Sequence, residues 1–184
     1  RTSRCRTPRS RPTKCIKMRG KKGDPHLDPA DPPRRRANKV RGHGTWENDR
    51  PPILGVLGRD TRQVHLAVLR GSARRDLEPR VLEATRPGTW VYTDEWHPYG
   101  HLPEVDRRHS SVCHAWGRRE WARDDDGDGV REVHTNGLEG CWTGLRNYLR
   151  PFRGVHKKYL EQYTAIYEWH VNFTAAMPLF LLAL

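Results

Sequence analysis

A chain of 184 residues is long enough for one domain with a real core, and a hydrophobic content of 35% with mean hydropathy −0.93 makes it a polar, surface-rich one. The formal net charge of +12 and a pI near 10.1 point to a polyanionic partner, nucleic acid ahead of membrane, and the apolar end Leu179-Phe180-Leu181-Leu182-Ala183-Leu184 falls far short of the roughly 20 residues of a spanning helix. Cys5, Cys15, Cys113 and Cys141 show no C-x-x-C spacing, which argues against a zinc ribbon or a disulfide framework and fits a reducing compartment such as the cytoplasm.

Residues 1–23 are dense in Arg and Lys, hold almost no large apolar residue before Ile16, and show neither helical nor strand periodicity. They read as a basic, disordered arm suited to phosphate contact. From Asp24 to Pro52 the chain stays irregular through Pro29, Pro32 and Pro33. It then runs through Arg34, Arg35, Arg36, Lys39 and Arg41 to a tight turn at Gly42-His43-Gly44. That basic run is either a DNA-backbone contact or a solvated linker.

Alternating apolar residues predict a hairpin: Ile53 to Gly58, the turn Arg59-Asp60-Thr61-Arg62, and Gln63 to Leu69. A helix follows over Ala73 to Thr85, with Leu77, Val81 and Leu82 on one face and Arg86-Pro87-Gly88 as its stop. The strand Thr89 to Thr93 then runs into Asp94, an acid at a strand end, where ligand sites of open α/β sheets gather. Asp94 or Thr93 could equally cap a short helical turn before Pro98. Ser110 to Ala115 reads as one more strand, carrying Cys113 and His114.

Asp124, Asp126, Asp128 and Gly129 fall on the first, third, fifth and sixth places of a calcium loop, but Thr135 stands at the twelfth, where a bidentate Glu is needed. A solvated acidic turn between two strands is the better reading. Next comes the stretch His134 to Arg146. Asn136 and Glu139 share one helical face and Arg146 lies two turns beyond Glu139 on it, while Leu138, Trp142, Leu145 and Leu149 recur on the other side to pack on a sheet. A capping box built on Thr135 or Asn136 with Glu139 would give the same pattern. Lys157 to Phe173 is a second amphipathic helix, through Leu160, Tyr163, Ile166, Tyr167 and Val171, and residues 174–184 are read as an apolar tail.

Hairpin, helix, strand ending in Asp, strand, then a helix carrying Glu is the order of an α/β ribonuclease H-like fold, a mixed sheet flanked by helices, without its first strand. The residues also resemble a family: Thr93-Asp94-Glu95-Trp96 with Tyr99, His114, His134-Thr135-Asn136 with Glu139-Gly140, Trp142 and Leu145-Arg146, and the closing Glu168-Trp169 with Asn172. Together they look like the insertion-sequence DDE transposases with the ISXO-type integrase-like domain, over roughly Asp24 to Asn172 of a domain read as residues 24–173. The resemblance implies cutting and joining of transposon ends by two-metal phosphoryl transfer, with Mg²⁺ or Mn²⁺ as cofactor and two ions in a complete enzyme. Hard carboxylate oxygens suit such ions. Asp94 and Glu139 would hold metal, with Asn136 a second candidate for the third active-site position. Arg146 would contact a DNA phosphate, joined by Arg34, Arg35, Arg36, Lys39 and Arg41, and His134 and His114 would support the site. Double-stranded DNA, both transposon ends and target, is the implied partner, together with a homo-oligomeric active form, no membrane, and a prokaryotic nucleoid-associated location.

One departure matters. Relatives of this type open the domain with a strand such as Val-Glu-Ala-Asp-Glu-Met-Tyr, whose Asp is the first metal ligand. Here the corresponding stretch is Ser10-Arg11-Pro12-Thr13-Lys14-Cys15-Ile16, with no acid and no strand pattern. Joining the third base of each codon from Arg9 to Ile16 with the first two of the next permits that same heptapeptide, and the ordinary frame resumes at Asp24. The sequence thus leads us to expect a displaced frame before Asp24, a catalytic set short of its first acid, and neighbouring strands left without a pairing partner. The competing expectation is a non-catalytic, basic DNA-binding protein derived from a transposase.

Overall fold

The computed structural model describes residues 44–47, 49–115 and 117–182. The basic arm and the run Arg34, Arg35, Arg36, Lys39 and Arg41 lie outside the described residues.

The hairpin forms as patterned: β1 (Ile53–Leu57) pairs antiparallel with β2 (Val64–Val68), with Ile53 opposite Val68 and Leu57 opposite Val64. Helix α1 (Arg74–Ala84) follows, with Leu77 and Val81 buried. Strand β3 (Trp90–Thr93) leads to a 3₁₀ helix, His97–Val105, and β4 (Arg108–Ser111) returns parallel to β3. Helix α2 (Asn136–Leu149) and the long α3 (Lys157–Leu182) complete the chain. The result is a mixed α/β architecture in which the strands form two separate pairs, β1–β2 and β3–β4.

Alternation along β1 and β2 sends side chains to two cores. On one side Val64 and Leu66 pack with Leu145 and Leu149 of α2 and Leu160 and Tyr167 of α3. On the other, Leu54 and Leu69 pack with Leu77 and Val81 of α1 and with Leu102, and Val56 of β1 and Val91 of β3 add to that cluster. The second core therefore runs beneath both strand pairs. α2 lies so close on β1 that a Cβ at Gly55 would stand 2.8 Å from Leu138 Cδ1 and 3.0 Å from the Trp142 ring. α3 lies beside α2, where the Tyr167 hydroxyl donates to the Cys141 carbonyl at 3.2 Å.

Four expectations shift. The strand predicted from Ser110 is Arg108–Ser111, because the last rung to β3 is Val112 N–H to Thr93 O; Cys113 and His114 lie past it. The turn predicted before Pro98 is the 3₁₀ helix that starts at His97, so neither Thr93 nor Asp94 caps it; Asp94 Oδ1 instead accepts the Trp96 N–H at 3.2 Å, holding the turn between strand and helix. The acidic turn is closed not by two strands but by a single antiparallel bridge, Arg123 to Val133. The last expected helix also runs on, without a break at Phe173, to Leu182. No helix among the described residues is long and apolar enough to cross a membrane.

Candidate active site

Asp94 follows β3 directly and Glu139 stands in the first turn of α2. His114 links them. Its Nε2 lies 3.8 Å from Glu139 Oε1 and 3.3 Å from Thr135 Oγ1, and its charge is felt by the Asp94 carboxyl. The His114 backbone N–H donates to Glu95 Oε2 at 2.9 Å, and its ring tilts against Trp121 with centroids 4.9 Å apart. Backbone and ring contacts thus fix the imidazole beside Glu139, whose side chain keeps 53% exposure and remains open to a ligand.

The Asp94 carboxyl reaches solvent, yet the protein crowded around it makes desolvation the largest influence and raises its pKa above the usual carboxylate value. Glu95's charge adds to the rise, and the Trp96 N–H and His114 oppose it. A carboxylate held in this way gains from a nearby cation. Burial, and then Arg59, lower the pKa of His134, whose carbonyl accepts from Arg59 Nη2 at 2.9 Å. Arg59 also covers the Tyr92 ring at 4.2 Å, so a residue of the first hairpin turn braces the entry to α2. No local pattern marks that role, since an exposed Arg in a turn has no periodicity.

The capping box is not formed. Thr135 occupies the cap position without a side-chain cap bond, because its hydroxyl stands at His114 instead. Asn136 is the first helical residue and is exposed, on the face that carries Glu139. Arg146 lies farther along α2, its Nη2 donating to Thr143 Oγ1 at 3.0 Å. Glu95, quoted in the sequence pattern but given no role, and Thr135, read there as a helix cap, hold His114.

The donor chemistry of Asp94 and Glu139 fits a hard divalent cation in part: both are carboxylates and Glu139 is open. A third ligand atom close enough to close a cage is missing, since Asp124, Asp126 and Asp128 are the only three-ligand group among the described residues whose atoms all lie within 4.8 Å of one another. Those loop acids serve their own loop. Asp124 accepts from Gly127 N–H at 2.6 Å and Gly129 N–H at 2.9 Å, and Asp126 accepts from Asp128 N–H at 3.1 Å.

Glu168 and Asn172 are not at this site. Glu168 Oε2 accepts the Leu66 N–H at 2.6 Å, and Asn172 exchanges two bonds with Val64, at 2.7 and 2.8 Å. They cover the outer edge of β2.

Comparison with known proteins gives residues 24–172 as a match to the ISXO2-like transposase domain family. A protein of Halobacterium salinarum described as an uncharacterized protein in transposable element ISH50 is 28% identical over 138 residues, 74% of this chain and 44% of its own length. An uncharacterized transposase-like protein of Haemophilus influenzae is 24% identical over 110 residues, 60% of this chain and 81% of its own. The chain thus spans under half the length of the first of these relatives. No solved structure is significantly similar.

Proposed function

The chain belongs to the ISXO2-like transposase family of insertion-sequence DDE transposases, and from that premise we propose that it is a transposition domain acting on double-stranded DNA, deprived of its first acid by a displaced frame. The observation that carries the reading is Glu139, half exposed in the first turn of α2 and 3.8 Å from His114 Nε2, in a chain whose other site acid, Asp94, directly follows strand β3. The element order and the strand-end position of Asp94 support a ribonuclease H-like sheet lacking one strand.

In this reading Asp94 and Glu139 hold the divalent ions, with Asn136 on the helical face that carries Glu139. Bound Mg²⁺ or Mn²⁺ would supply charge neutralisation and an activated oxygen for attack at a phosphodiester. The chain's own residues do the positioning. His114, held through its backbone N–H by Glu95, bonds Thr135 Oγ1 through Nε2 at 3.3 Å and stands 3.8 Å from Glu139, so that its charge when protonated keeps Glu139 turned toward the site. Arg146, two turns along the helix, holds a DNA phosphate. Two carboxylates retain two ions less well than three, so strand transfer by this chain is weak or lost, while binding to DNA through its net charge of +12 persists with a salt dependence that Mg²⁺ does not alter.

The test is a cleavage and joining assay in Mg²⁺ on DNA from both flanks of the coding region. The chain as it stands should yield no product. The same chain with residues 9–15 replaced by Val-Glu-Ala-Asp-Glu-Met-Tyr should yield product that Asp94→Asn or Glu139→Gln abolishes. Strand transfer by the unaltered chain refutes the impairment, and a folded repaired chain without activity refutes the catalytic reading.

A further inference from the structure

Helix α3 carries two apolar stripes, and the fold uses one. Leu160, Thr164 and Tyr167 are buried and Val171 packs on the same core, which seats the helix on β2 and α2. On the far side Tyr159, Ile166, Trp169, Phe173 and Met177 form a second stripe, and each is exposed, from 39% at Met177 to 64% at Trp169. Tyr159 and Met177 are about five turns apart at 3.6 residues per turn, so this stripe runs straight along the helix for about 27 Å. The Trp169 and Phe173 rings stack within it, with centroids 5.3 Å apart and planes 15° from parallel.

The exposed positions of α3 from Gln162 to Met177 include no Asp, Glu, Lys or Arg among the described residues, in a chain that is 30% charged. A surface rich in aromatic residues and Met and bare of charge has the composition of an interface core. Leaving about half of five large side chains in water exposes about 600 Å², the upper end of what a monomer shows in one apolar patch.

We propose that this stripe is a self-association surface, on which a second copy of the chain lays its own α3 antiparallel about a two-fold axis near Trp169. Three features choose that occupant. The stripe offers no cation to a phosphate backbone, which sets it apart from a nucleic-acid contact. Two such stripes face to face bury about 1,200 Å², where the range of stable interfaces begins. Lys158 and Glu161, both exposed, lie at the N-terminal end of the helix. Antiparallel pairing sets them against the uncharged Met177 end of the other copy, whereas parallel pairing sets Lys158 beside Lys158 and Glu161 beside Glu161. The surface is independent of the function proposed above.

Sedimentation equilibrium of the full chain, freed of nucleic acid and taken from about 1 to 100 µM, tests this. The mass should rise with concentration to that of two chains. The association should tighten between about 0.15 and 0.5 M salt, because each copy carries +12. Trp169→Ala and Phe173→Ala should each weaken it about tenfold or more with helix content unchanged by circular dichroism, since both side chains lie outside the chain's own core. Val130→Ala, at a residue 61% exposed on the acidic loop, should leave it as it was. Tyr159→Lys and Met177→Glu should each weaken pairing, and the two together should restore it, because in the antiparallel dimer each new Lys meets a new Glu. A chain that is monomeric throughout, or an association untouched by Trp169→Ala and Phe173→Ala, overturns the surface. A double charge variant weaker than either single one overturns the antiparallel arrangement. Monomers that instead bind phosphatidylcholine vesicles in a Trp169-dependent way would give the stripe to a membrane and overturn the proposal too.

Discussion

Replacing Glu168 by Ala should unfasten the outer edge of β2, although the residue lies on a helix and touches no acid of the candidate site. The Leu66 N–H would lose a 2.6 Å bond to a carboxylate oxygen. Hydrogen bonds to charged groups contribute roughly 1.5–3 kcal/mol, and because the Glu168 side chain is 24% exposed, water takes back part of the loss; about 2 kcal/mol is expected. Asn172→Ala removes two neutral bonds to Val64 at roughly 0.5–1.5 kcal/mol each, a similar total. Glu168→Gln keeps an acceptor and should cost about 1 kcal/mol or less. The two sites share one strand edge, so the double variant should not be additive. Urea unfolding gives the energies, and amide exchange should accelerate at Leu66 in the first variant and Val64 in the second. An unfolding free energy for Glu168→Ala within about 0.5 kcal/mol of the parent, with Leu66 exchange unchanged, would refute the reasoning.

Two further outcomes follow from packing and charge. Gly55→Ala places a Cβ 2.8 Å from Leu138 Cδ1 and 3.0 Å from Trp142; since α2 must shift, urea unfolding should show a loss of about 1–3 kcal/mol, and a stabilised variant would mean that α2 does not press on β1. Asp94 has a raised pKa in the folded chain, so ionisation opposes folding: the cost is absent below the unfolded value near 3.9 and complete above the folded one. Asp94→Asn should therefore gain stability over the parent as pH rises from about 4 to 7, and added Mg²⁺ should shrink the gap at neutral pH; a gap independent of pH contradicts the assignment of desolvation as cause.

The hairpin, α1 and the two packing helices were legible because their apolar residues repeat at periods of two or near 3.6, which is the signal burial leaves in a sequence. β4 was placed two residues late because Arg108 and His109 carry no apolar signal; its start is set by pairing to Trp90 and Val91, a tertiary fact. Asp94, Glu139 and Asn136 were singled out through strand-end position, helical spacing and family likeness, and the structure puts Glu139 3.8 Å from His114. The bracing by Arg59, and the use of Glu168 and Asn172 on a strand edge, depend on contacts more than 70 residues apart in the chain, which no local pattern encodes.

The central claim, that a transposition domain has lost its first acid to a displaced frame, is tested most directly by the nucleotide sequence from the codon for Arg9 through that for Asp24. The account predicts that the frame beginning at the third base of the Arg9 codon reads Val-Glu-Ala-Asp-Glu-Met-Tyr, with Asp formed across the Pro12 and Thr13 codons. Codons that place a stop or a non-acidic residue there would contradict it, and would leave the basic arm as genuine protein and DNA binding as the better reading.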